Sequence, residues 1–191
     1  MCHCQGGTVG TVRDEVDGFV LAGGRSERFG ADKFLHVVDG TSMGQRAIDA
    51  LSGLRSVTVV GPPRGDVDGA TWWMGAREGE GPLGAIVDVL ERVDGGHAVI
   101  LGCDTPAVNA EVVDRLLQAL APNVDVAVAT EQRSHWLVAA WSAERSFHVF
   151  RTAWINGERS IQRAARGLTI EAVRINAELL RNVNRREDVD V

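Results

Sequence analysis

Cysteine is scarce in this chain: three among 191 residues, two of them at positions 2 and 4. So few thiols cannot build a disulfide framework, and the expected setting is a reducing cytoplasm. Basic charge is in deficit too. Lys and Arg number 20 against 26 Asp and Glu, for a net charge of -6, whereas general binders of nucleic acid or anionic membranes carry the opposite sign. Neither partner is expected. Long apolar runs are missing: Trp136 to Trp141 is typical, far short of the ~18 residues of a membrane span. Arg13, Asp14, Glu15 and Asp17 interrupt any secretory h-region near the N-terminus. What remains is a core-forming composition, 45% hydrophobic with 24% charged, which excludes intrinsic disorder. The length predicts one domain able to bury roughly 70% of its unfolded surface.

Residues 1 to 16 show no apolar periodicity and read as a flexible leader, with a single domain over 17 to 191. Cys2-His3-Cys4 is spaced too tightly to complete a tetrahedral metal site, and no second pair follows. From Asp17 onward, strand-like and helix-like segments alternate. Gly18 to Ala22, Ser56 to Val60, Thr71 to Met74, Ala98 to Leu101, Asp125 to Ala129, Trp136 to Trp141 and Leu168 to Ile175 read as strands. Helical spacing marks Met43 to Leu51 behind a Thr41 or Ser42 cap, and Leu83 to Leu90. Val112 to Leu120 behind Asn109, Ala143 to Phe150 and Ser160 to Arg166 read as helices as well. The alternation predicts an α/β three-layer sandwich around a Rossmann-like, doubly wound, mainly parallel sheet. Ligands of such sheets bind beyond the carboxyl ends of the strands at a topological switch point, so the loops after the strands are where chemistry is expected.

The loop after the first strand reads Leu21-Ala-Gly-Gly-Arg-Ser-Glu-Arg-Phe-Gly-Ala-Asp-Lys33. Gly23 and Gly24 allow backbone to approach a ligand closely, and amides of such a turn can cradle phosphate oxygens. Arg25, Arg28 and Lys33 add cations, partly offset by Glu27 and Asp32. Gly30 is followed by Ala-Asp-Lys, so the loop is not a Walker A motif, and G-x-G-x-x-G does not occur. Beyond the most apolar strand candidate lies Gly102-Cys103-Asp104-Thr105-Pro106. Asp there is a hard oxygen ligand suited to Mg²⁺, which binds one or two carboxylates together with substrate phosphates. Standing alone, such an Asp is more often a turn or cap residue.

The first loop resembles the glycine-rich loop of the MobA family, the molybdenum cofactor guanylyltransferases, in residue type and spacing. The resemblance implies that Leu21, Ala22, Gly23, Gly24 and Arg25 bind the nucleotide, and that Arg28 and Lys33 stabilise charge on the transferring phosphate. Gly102 to Pro106 resembles the family's Cys-Asp-Met/Thr-Pro stretch, which makes Asp104 catalytic and the implied Mg²⁺ ligand. Gly81-Pro82-Leu83 resembles the family's nucleotide-side G-P-L turn. Asn182-Val183-Asn184 resembles an N-x-N motif on the pterin side, so Asn182 and Asn184 are expected to bind the acceptor. His135 joins them, although Trp136 stands where many relatives carry Pro. For the carboxylate that contacts guanine or ribose, Glu78 is the first candidate and Glu80 the second. Arg185-Arg186 replaces the family's Thr-Pro, and Gly61-Pro62-Pro63 stands where some relatives have Asn.

The resemblance implies transfer of GMP from GTP to a molybdopterin-type phosphate, with Mg²⁺ as cofactor and molybdoenzymes or other cofactor-assembly proteins as further partners. Two alternatives stand beside it. One is another nucleotidyltransferase, acting as a pterin cytidylyltransferase or on a different phosphorylated acceptor. By resemblance to the family's patterns, the Ala-Gly-Gly of the first loop, Asp32 and Asp104-Thr105-Pro106 favour guanine over cytosine. The other is a non-catalytic nucleotide-binding chaperone, against which the joint presence of Arg28, Lys33 and Asp104 argues. Trp72, Trp73, Trp136 and Trp141 can stack a heterocycle, but core packing is the expectation for most of them.

Overall fold

The computed structural model describes residues 12–23, 32–94 and 96–183. Strand β1 (Val16–Leu21) is followed by a small hairpin of β2 (Val37–Val38) and β3 (Thr41–Ser42), then helix α1 (Met43–Ala50). Strands β4 (Ser56–Val60) and β5 (Thr71–Trp73) precede α2 (Pro82–Arg92), β6 (His97–Gly102) and α3 (Ala110–Ala119). A hairpin of β7 (Val126–Thr130) and β8 (Ser134–Ser142) leads to α4 (Ala143–Ile155), α5 (Ile161–Ala164) and β9 (Ile170–Arg174). The main sheet has seven strands in the order β5-β4-β1-β6-β8-β7-β9. All its pairings are parallel except the two made by β8. This is the expected doubly wound, mainly parallel three-layer α/β fold.

Local chemistry explains the helix starts. Ser42 Oγ accepts the Gln45 N–H at 3.1 Å and Asn109 Oδ1 accepts the Val112 N–H at 3.2 Å, each satisfying an orphan donor of a first turn. Helix α2 enters through Gly81, at φ 94°, with Pro82 in its first turn. Alternation along the strands then builds two apolar layers. Val16, Val20 and Ala22 pack with Ile48, Leu51, Val112 and Leu116 on one face. Phe19 and Leu21 pack with Leu83, Ile86, Val87 and Phe150 on the other. The tryptophans mostly serve this packing: Trp141 is fully buried, edge-on to Phe150 at 5.2 Å, and Trp72 lies 5.1 Å from Phe34.

Residues 12 to 16, placed by the sequence in a flexible leader, are part of the fold. Val12–Glu15 form a 3-10 turn, and Val16 is a fully buried residue of β1. The Arg13 guanidinium donates to Asp114 at 2.8 and 2.5 Å and to the Ser52 carbonyl at 3.0 Å. A charged run that looked unpatterned is thus tied to α3 and the end of α1. Residues 1–11, with Cys2-His3-Cys4, lie outside the described residues.

Candidate active site

The chain winds from β1 outward through β4 to β5, then returns to β6 on the other side of β1, so the switch point lies between β1 and β6. Register makes the strand ends level there: Leu21 pairs with Val60 on one side and with Gly102 on the other. Ala22 continues the contact, donating its N–H to the Val60 carbonyl at 3.0 Å. The crevice therefore begins at Ala22 and Gly23 and faces Cys103 and Asp104 across the β1–β6 boundary.

Asp104 follows the last residues of β6 so closely that a Cβ on Gly102 would stand 2.7 Å from its Oδ1. Glycine at 102 keeps that space for the carboxylate. Burial pushes the Cys103 thiol up to about 11; Asp104 adds to the shift, while Lys33 and Arg64 oppose it. One carboxylate and two cations thus act on the same strand end. No cluster of three His, Cys, Asp or Glu side chains suited to a metal occurs among the described residues. A lone Asp fits a cation that completes its shell with substrate phosphates and water, which is how Mg²⁺ ordinarily binds, rather than a cage made by protein alone.

Lys33 is held between two anchored neighbours. Asp32 Oδ1 accepts the Phe34 N–H at 3.0 Å, and Asp32 Oδ2 pairs with Arg64 at 3.1 Å. The Phe34 ring is buried over Gly44, where a Cβ would come within 2.4 Å of it. Arg64 was not anticipated from the sequence. Its only signal was a basic residue right after Gly61-Pro62-Pro63, in a loop leaving the end of β4.

The remaining expected residues fall on two sides of Asp104. Leu21 is buried in β1, and Gly81, Pro82 and Leu83 start α2 at the same carboxyl edge of the sheet. Glu78 and Glu80 are exposed in the turn between β5 and α2. That turn is anchored by its neighbour Arg77, whose N–H donates to Asp88 at 2.8 Å while its guanidinium pairs with Asp88 and with Glu91 at 3.1 Å. On the opposite side, His135 and Asn182 come together. Both line a cleft of about 210 Å³ with Asp104, Thr105, Arg133 and Trp136. Both also line an adjoining cavity of about 570 Å³ with Arg133, Glu131, Glu178 and Arg181. Burial, then Arg133, holds the His135 imidazole below its ordinary pKa, with Asp104 and Glu131 opposing. The Thr105 hydroxyl, in the same wall, is buried and has no hydrogen-bond partner among the described residues. Gly24, Arg25, Arg28 and Asn184 lie outside the described residues.

Residues 18–172 match the family model described as the MobA-like NTP transferase domain. The chain belongs to that family. A molybdenum cofactor guanylyltransferase of Pseudomonas putida is 30% identical over 152 residues, covering 76% of this chain and 79% of the relative. A probable molybdenum cofactor guanylyltransferase of Deinococcus radiodurans is 30% identical over 106 residues, 55% of each chain. Against this second relative, the chain spans about half the length. Among solved structures, the molybdopterin-guanine dinucleotide biosynthesis protein A of Archaeoglobus fulgidus superposes with a TM-score of 0.76. It covers 91% of this chain and 94% of its own at 18% identity, a likeness of fold. Among the described residues, no helix is long and apolar enough to cross a membrane.

Proposed function

We propose that this nucleotidyltransferase-family chain transfers GMP from GTP to the phosphate of a molybdopterin-type acceptor, releasing pyrophosphate, and so acts in molybdenum cofactor biosynthesis. The observation that carries the reading is the position of Asp104. It stands at the switch point, with Ala22, Gly23 and the start of α2 on one side and the His135–Asn182 cleft on the other. Two phosphorylated substrates entering from those sides would meet at its carboxylate. That relatives are named molybdenum cofactor guanylyltransferases supports this choice of substrates.

In this mechanism a phosphate-monoester oxygen of the acceptor attacks the α-phosphorus of GTP. The bond from that phosphorus to the bridging oxygen breaks, and pyrophosphate leaves with the electron pair. The attacking oxygen is already anionic at neutral pH, so no general base is needed, and the neutral His135 acts as an orienting donor or acceptor. Asp104 would hold Mg²⁺, whose contribution is to neutralise charge on the phosphates as the new bond forms. Lys33 stabilises the same charge from the nucleotide side, together with Arg28. Gly23 offers backbone to the nucleotide beside Ala22, and Gly81 to Leu83 close the base side. Arg133 and Asn182 receive the acceptor. Catalysis rests on positioning and on fixed charges, as phosphoryl chemistry generally does.

The test is pyrophosphate release with each nucleoside triphosphate, with and without molybdopterin. Turnover is expected with GTP and acceptor together. Turnover with CTP instead would make the chain a cytidylyltransferase, and GTP binding with no turnover would make it a carrier. A buffer series with and without Mg²⁺ tests the metal requirement.

A further inference from the structure

The Arg64 guanidinium bridges two stretches of chain that flank the glycine-rich loop. One terminal nitrogen donates to the Ala22 carbonyl at the exit of β1, and the other pairs with Asp32 Oδ2 at 3.1 Å. Its carbon lies 6.0 Å from the centre of the Phe34 ring. Arg64 is itself well placed to be rigid: its side chain is 22% exposed, and it leaves a strand end fixed by Gly61, whose N–H donates to the Trp73 carbonyl at 2.9 Å. Its Nε is buried with no hydrogen-bond partner among the described residues. The side chain is therefore not arranged to satisfy itself, since an unmet buried donor is costly. The gain lies in what its two ends hold.

We propose that Arg64 is the positioning residue of the nucleotide site, clamping Ala22 and Asp32 across the loop so that Lys33 stands at the nucleotide phosphates. The inference rests on the reading that Lys33 contacts those phosphates. Lys33 follows Asp32 directly and precedes Phe34, whose ring is wedged between Gly44 and Trp72. The Phe34 anchor fixes one side of Lys33, and Arg64, acting through Asp32, fixes the other. The Asp32 carboxylate compensates the Arg64 charge locally, so Arg64 orients the loop more than it attracts the ligand. The two contacts use different guanidinium nitrogens, a separation that the single nitrogen of a lysine at 64 does not reproduce.

The experiment is a double-mutant cycle on nucleotide affinity in the full-length chain, which needs no acceptor. GTP and CTP are titrated calorimetrically with Mg²⁺ present, and the cycle is run with whichever binds. Lys33→Ala is expected to weaken binding about tenfold in the native background, the loss of one charge-assisted contact. In an Arg64→Ala background the same change should matter less than about twofold, because Lys33 is no longer placed there. Arg64→Lys should behave as Arg64→Ala. An Asp32→Asn background, which keeps the shape and removes the charge, gives the same reading should Arg64→Ala fail to fold. A Lys33 effect that stays undiminished in these backgrounds overturns the clamp, as does full restoration by Arg64→Lys. Failure of the proposed function appears elsewhere, as absent pyrophosphate release by the native chain.

Discussion

The backbone N–H of Val183 donates to the carbonyl oxygen of Asp104 at 2.8 Å. A segment close to the C-terminus is thereby fastened to the end of the central strand. The Val183 side chain is buried against Met43 at the start of α1. Asn182 is carried by this double attachment into the cleft lined by His135 and Asp104, which explains how a polar stretch of sequence comes to stand beside the end of the central strand. Val183→Ala should cost about 2 kcal/mol in stability through lost methyl packing. It should also raise KM for the acceptor more than KM for GTP. Urea unfolding and steady-state kinetics check the two halves, and equal effects on both substrates would detach the tail from acceptor binding.

Gly102→Ala tests how closely the space around Asp104 is set. The added Cβ would stand 2.7 Å from Asp104 Oδ1 and 3.3 Å from Leu137 Cβ, so the carboxylate must move. A drop in turnover of ~10²-fold is expected from displacing one fixed charge at the reacting centre, with the fold retained. Asp104→Ala should abolish Mg²⁺-dependent turnover in a folded protein. Near-native rates in Asp104→Ala would remove Asp104 from the mechanism, and near-native rates in Gly102→Ala would show that its placement is not tightly set.

The N-terminal boundary can be tested by truncation. A chain lacking residues 2 to 16 loses Arg13, with its bonds to Asp114 and the Ser52 carbonyl, and the fully buried Val16. It should be markedly less stable than a chain cut only through residue 11, by several kcal/mol when a buried strand residue and a multiply bonded Arg go together. Thermal unfolding of the two truncations decides it; identical midpoints would return these residues to a leader.

Two histidines set a pH window for stability. Burial, then Arg145, lowers the pKa of His97, with Glu15 opposing; burial, then Arg133, lowers that of His135. Below the ordinary value of about 6.5, the unfolded chain takes up protons that the fold refuses, so stability falls as pH drops through the folded values. Above about 6.5 both are neutral in either state and contribute no slope. Urea titrations at pH 7.5 and 5.5 should show this loss, and His97→Gln should shrink it. An unchanged difference in that variant would clear His97.

Most elements were legible in the sequence because the apolar runs, Ser42, Asn109 and Pro82 act locally. The reversed direction of β8 was legible only indirectly. The apolar runs 125–129 and 136–141 are too close in sequence for a crossover, which needs a dozen or more residues, so a hairpin was the permitted connection. Asp104 was readable because a strand end and a motif coincide there. Arg64 was not, since its meaning comes from contacts with Ala22 and Asp32 that arise only once β4 lies beside β1. Arg13 was hidden for the same reason, its partner being Asp114.

Lys33 distinguishes catalysis from mere binding. Charge on the phosphoryl oxygens redistributes as the bond to pyrophosphate breaks, so a fixed cation contributes more to the transition state than to the bound ground state. Lys33→Ala should therefore lower the single-turnover rate by ~10²- to 10³-fold, roughly 3 to 4 kcal/mol, while weakening GTP binding much less. Lys33→Arg should not restore the rate, because a planar guanidinium between the anchored Asp32 and Phe34 would carry its charge to a different point. Arg28→Ala should show the same pattern. Rates at saturating GTP and dissociation constants measured on the same preparations separate the effects. A thousandfold loss of affinity with an unchanged bound-state rate would leave Lys33 as a nucleotide anchor alone, and the stabilisation of the transition state would then have to come from elsewhere in the crevice.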